Sequence, residues 1–71
     1  MTGPEFEADV RALGMTLTGV NGADRFFSVD GRSVRRWAKD GPPAAVAMLL
    51  RVMRARKIST AIVRKIYDDA A

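Results

Sequence analysis

The chain has 71 residues, a net charge of +4, and neither cysteine nor histidine. A domain of this length buries only about 60% of the surface its unfolded chain exposes. Disulfides, thiolate or imidazole metal sites and the commonest general base are all excluded, so no metal, cofactor or catalysis is expected and dimerisation is the support left open. Apolar residues make up 48% of the chain, enough for a packed core. The longest stretch without a charge, Gly41 to Leu50, holds two prolines and falls short of the ~20 residues a membrane span needs. The acidic start, MTGPEFEADV, lacks the basic and apolar regions of a signal peptide, so the expected location is cytoplasmic, with no membrane contact.

The first helix is expected to start at Thr2. Thr2 and Glu5 have capping-box spacing, and Pro4 suits a first turn. Phe6, Val10 and Leu13 then form one apolar stripe, and Gly14 is a stop signal. Gly3-Pro4-Glu5-Phe6 also has the look of a vector-derived leader, but the capping pattern runs on into the stripe. Met15 to Phe27 reads as a second, weak helix, capped by Thr16 or Thr18, with Val20, Ala23 and Phe27 inward. Gly19 and Gly22 each cost such a helix roughly 1 kcal/mol. Ser28 to Gly31 is a break, and Asp30 is a good N-cap for the third helix.

Gly31 to Asp40 reads as that third helix, ended by Gly41-Pro42-Pro43. At about 100° per residue, Val34, Trp37 and Ala38 share one arc, and Arg32, Arg35, Arg36 and Lys39 share the opposite one. Trp37 reads as core rather than as a base-stacking group. A fourth helix, Ala44 to Arg56, has Val46, Leu49, Leu50 and Met53 as its core stripe, with Met48 and Val52 on a flank outside it. The last helix starts at Ser59 and gathers Ile62, Val63, Ile66 and Tyr67 on one side. The sum is an all-α fold, a compact bundle of about five short helices forming a single domain over residues 1–71.

Charge is unevenly placed. Residues 1–30 hold two arginines against five acids, a net −3, whereas residues 31–67 hold ten Lys/Arg against Asp40 alone, a net +9. A directed positive field suits a polyanion. The third helix has no acid among its four cations to relieve their repulsion, so it gains from meeting an anion. Arginine is also the residue type that contacts guanine edges and phosphates with two hydrogen bonds at once. A second cluster, Arg51, Arg54, Arg56 and Lys57, reads either as phosphate contacts or as a solvated helix end, where cations suit the dipole. Arg64 and Lys65 read as plain surface.

Residues 22–37, GADRFFSVDGRSVRRW, resemble the helix-turn-helix of the lambda repressor and Cro family. In that family a short helix ends in two large apolar residues. A turn residue, a Val, a polar N-cap and a recognition helix come next. Phe26 and Phe27, Ser28, Val29, Asp30, and Val34 with Trp37 stand at those positions. The resemblance implies a motif over about residues 18–40, with Gly31, Arg32, Ser33, Arg35, Arg36 and Lys39 facing the major groove of double-stranded DNA. It further implies a transcriptional regulator, a repressor acting by promoter occupancy as a homodimer, without a small-molecule ligand. Met48, Val52 and Tyr67 are the candidate dimer contacts. Two departures stand out. Ser28 replaces the usual turn glycine, which places a non-glycine residue in a left-handed conformation. Asp24 replaces the alanine at the closest helix crossing, within reach of Arg35 or of the next helix's start. The rival reading is a protein-interaction module such as an antitoxin. Single-stranded nucleic acid is disfavoured, since one Trp and one Tyr offer little stacking.

Overall fold

The computed structural model describes residues 1–70 as five helices: α1 (Gly3–Ala12), α2 (Ala23–Phe26), α3 (Gly31–Asp40), α4 (Ala44–Arg56) and α5 (Thr60–Ala70). The small all-α bundle expected from periodicity is what forms, and among the described residues no helix is long and apolar enough to cross a membrane.

Helix α1 begins with the reciprocal capping box. Glu5 N donates to Thr2 Oγ1 at 3.2 Å, and Thr2 N donates to Glu5 Oε1 at 2.8 Å. Its N-terminus sits hard against the end of α3. A Cβ on Gly3 would collide with the backbone carbonyl of Ala38, and Gly41, at φ +102°, turns under the Met1 carbonyl. Gly3 is therefore part of the packing.

The second helix is where the sequence expectation fails. Of Met15–Phe27, only Ala23–Phe26 is helical, and neither threonine caps it; Gly22 holds that place without a side-chain bond. The preceding residues form a hydrogen-bonded loop. Gly14 and Gly19 take φ of +83° and +109°, conformations an α-helix does not contain. Thr16 N donates to Asn21 O at 3.0 Å, Ala23 N to Thr16 O at 2.8 Å, and Asn21 Nδ2 to Gly14 O at 2.7 Å. Val20, expected inward, is 88% exposed at the tip of this loop. Two glycines and a local side-chain bond offer the backbone better partners than a helix whose interior they would weaken.

The turn between α2 and α3 matches its expectation. Ser28 has φ +55°, and Val29 N donates to Asp24 O at 2.9 Å to close the end of α2. The core gathers around α3. Phe6, Val10, Met15, Ala23, Val34 and Leu50 form one buried cluster. Trp37 stands edge-on to Phe6 (5.9 Å) and Phe27 (6.0 Å), so one indole ties α3 to both preceding helices. Helix α4 buries Leu50 and Met53 and ends at Lys57 in the left-handed conformation. Ser59 accepts from Ile62 N at 3.2 Å and starts α5. Helix α5 buries none of its residues, and Ile62, Ile66 and Tyr67 are 51%, 63% and 71% exposed.

Candidate nucleic-acid interface

Helix α3 is built to be held on one side and open on the other. Asp30 Oδ1 accepts from Arg32 N at 2.7 Å, satisfying one of the free amides at the helix start. Val34 is fully buried, and Trp37 and Ala38 are half-buried beside it. Arg32, Arg35, Arg36 and Lys39 are all exposed. Gly31 and Ser33 lie half-buried at the rim of the same helix. A Cβ on Gly31 would stand 3.3 Å from Thr18 Cγ2, so the preceding loop lies close to the start of α3. Among the described residues, every ion pair involves Arg11, Arg51 or Arg54, and none involves a cation of α3.

The second basic cluster is arranged differently. Arg54 Nη1 donates to Asp9 Oδ1 at 2.6 Å, and Asp9 is nearly buried. Arg51 Nη2 donates to Glu5 Oε2 at 3.0 Å, with its Nε 3.9 Å from Asp9 Oδ2. These two arginines lace α4 to α1. Arg56 and Lys57 are exposed beyond them, at the end of the helix. The structure thus brings Arg32, Arg35, Arg36 and Lys39 onto one open face, and turns Arg51 and Arg54 toward carboxylates of the chain itself.

Glu5 titrates below its ordinary range. The first cause is its hydrogen bonds with Thr2, backbone and side chain, and the guanidinium of Arg51 adds to them.

Arg64 corrects the plain-surface reading. Its Nη2 donates to the carbonyls of Arg25 (3.2 Å) and Phe26 (3.5 Å), and its guanidinium lies 6.0 Å from the Phe26 ring centre. It adds a second donor to the Arg25 carbonyl, which already accepts from Ser28 N, reaches the Phe26 carbonyl, and ties α5 to the end of α2. No local pattern marks it, because its partners lie 38 and 39 residues away in the chain.

Met48 and Val52 are 68% and 52% exposed on α4. Between α4 and α5 runs an open groove of about 230 Å³, floored by Phe26, Phe27, Leu49, Val63 and Tyr67. Val63, Arg64 and Tyr67 face this floor, and helical geometry then puts Ile62 and Ile66 on the outer flank of α5. Met48, Val52, Ile62, Ile66 and Tyr67 are thus exposed apolar residues on the two helices that border one groove. No family model matches the chain, and neither does any curated protein or solved structure.

Proposed function

We propose that the chain is a sequence-specific double-stranded DNA-binding regulator of transcription, a repressor that acts by occupying a promoter. One observation carries this reading: a capped, core-anchored helix presents four exposed cations on a single face, and among the described residues no acid is paired with any of them. Helix α3 is the element that enters the major groove, with Arg32, Arg35, Arg36 and Lys39 on base edges and phosphates. Gly31 and Ser33 lie at its approach. Arg56 and Lys57 are the members of the second cluster free to meet flanking phosphates, while Arg51 and Arg54 serve there only by leaving their carboxylates.

Gel shift with random-sequence duplex at several salt concentrations tests this. Log K should fall with log salt at about −0.9 per phosphate contacted. A slope near zero ends the proposal.

A single short helix reads few bases, so the regulator works as a homodimer with two α3 helices about 34 Å apart. Met48, Val52 and Tyr67, with Ile62 and Ile66 beside them, supply its contact. Val52→Glu should give a folded monomer with much weaker operator binding, and sedimentation on a two-half-site duplex should count two wild-type subunits. One subunit at saturation refutes the dimer. The same apolar residues favour a second reading, a protein-interaction module such as an antitoxin, which is what stands if duplex DNA does not bind.

A further inference from the structure

Asp24 is the second residue of α2, and its carboxylate is oddly placed. Oδ1 is buried and meets no donor. Buried carboxylate oxygens are nearly always hydrogen-bonded, so with Oδ1 unpartnered the charge of this carboxylate is left to be met through Oδ2. A Cβ on Gly22 would collide with Oδ1, so the bare glycine is what admits this carboxylate. Oδ2 looks toward a second bare glycine. A Cβ on Gly31 would stand 3.9 Å from Asp24 Oδ2 and 3.6 Å from Arg35 Nη1. The charged ends of Asp24 and Arg35 therefore reach the same Cβ-sized notch, one from α2 and the other from α3. Arg35 is otherwise exposed and has no ion pair.

We propose that Asp24 is a positioning residue for Arg35, and that the pair sets base preference at one position of the DNA site. This rests on the DNA-binding reading of α3. A guanidinium has five N–H donors in a rigid plane, so it can serve two acceptors from two edges at once. When its inner edge closes onto Asp24 across Gly31 as the duplex binds, Arg35 has its outer edge aimed at a base and its choice of rotamers narrowed. The carboxylate works in the opposite direction on bare phosphate contact. It places a negative charge beside the groove-facing helix and so lowers affinity for any duplex that does not engage Arg35 correctly. Asp24 thereby exchanges general adhesion for selectivity. A Cβ on Gly31 would touch both charged ends, so the glycine leaves them room to approach each other.

The test compares two duplexes: one enriched from a random pool by the wild-type protein, and one of random sequence. Fluorescence anisotropy measures both affinities for Asp24→Ala, Asp24→Asn, Arg35→Ala, Arg35→Lys and the Asp24→Ala/Arg35→Ala double variant, with melting curves for each. Asp24→Ala should lower the ratio of selected to random affinity roughly tenfold, with random-duplex binding equal or tighter. Arg35→Ala should lower the ratio similarly, and the double variant should lose no more than either single one. Arg35→Lys, which keeps the charge and loses the fork, should behave like Arg35→Ala in the ratio. Asp24→Asn keeps the shape and serves if the alanine variant melts early; it should lose part of the ratio. Losses that multiply in the double variant, or a ratio unmoved by either Asp24 change, overturn the pairing while leaving DNA binding by α3 intact. A wild-type protein that enriches no sequence, or binds no duplex, overturns the pairing as well, and the second result also removes the parent reading.

Discussion

Helices α3 and α4 carry the same number of basic residues up to Lys57, yet they use them in opposite ways. Arg32, Arg35, Arg36 and Lys39 stand together on a face where, among the described residues, none is in an ion pair. Arg51 and Arg54 lean across to Glu5 and Asp9 and join α4 to α1. The difference lies in what faces each helix. Helix α1 carries three of the five acids of the first 30 residues, and α4 packs beside it. Helix α3 turns its apolar side to α1, and its four cations stay exposed. A count of cations therefore overstates how much positive charge is available to a partner. What matters is how many are left over once the fold has paired its own.

The sharpest way to break this contrast is to remove one cation from each helix. Arg32→Ala should weaken binding to a selected duplex by about 1–3 kcal/mol and relax base preference, with thermal stability unchanged. Anisotropy titrations and melting curves read the two effects separately. Arg54→Ala should do the reverse. It leaves the nearly buried carboxylate of Asp9 with only the distant Arg51 Nε, and stability should drop by about 1–3 kcal/mol, less than for a fully buried pair because Arg54 is half exposed. Affinity per folded molecule should hardly move. If Arg54→Ala weakened DNA binding at full stability, α4 would be a contact surface and the comparison would collapse.

Much of this is legible in the sequence, for particular reasons. The capping box of Thr2 and Glu5, the cap at Asp30, and the division of α3 into an apolar and a basic arc all depend on residues within one or two turns of each other. Such patterns can be read along the chain, and the four cations of the candidate site emerge this way. The pairing of Arg51 and Arg54 does not, because Asp9 is 45 residues from Arg54 and only the packing of α4 on α1 brings them together. Arg64 escapes for the same reason. Residues 15–22 fail differently: their apolar spacing fits a weak helix, but the glycine cost to that helix lets the hydrogen-bonded loop, with Gly19 at φ +109°, win instead. Asp24 is visible as an oddity, but its orphaned oxygen becomes apparent only with the notches at Gly22 and Gly31.

A smaller effect would sharpen the comparison at the turn that aims α3. Ser28 adopts φ +55° where glycine has no steric penalty. Ser28→Gly should stabilise the fold by up to about 1 kcal/mol, offset in part by the greater freedom of glycine in the unfolded chain. Denaturant midpoints measure this. Duplex affinity should stay the same, because the turn keeps its shape. A loss of affinity with gained stability would mean that the serine hydroxyl itself contacts DNA.

The smallest effect concerns Glu5, the exposed acid that both caps α1 and holds Arg51. Its pKa is lowered in the folded chain from an ordinary value of 4.5, first by the hydrogen bonds with Thr2 and then by Arg51. A depressed folded pKa means that the folded state favours the ionised form. The resulting stability is fully present above 4.5 and disappears as the pH falls through the lowered folded value. Glu5→Gln keeps a side chain able to complete the capping box but cannot ionise. The stability difference between wild type and Glu5→Gln should therefore be constant near neutral pH and shrink under acid, as read by denaturant melts across the range. The same substitution releases Arg51 from its nearer carboxylate. If pairing with α1 is what withholds α4 from DNA, Glu5→Gln should also tighten binding to random duplex slightly and steepen its salt dependence, by less than one phosphate contact. An unchanged salt slope at full stability would show that Arg51 lies too far from the bound backbone to matter, and that α3 alone carries the charge the duplex meets.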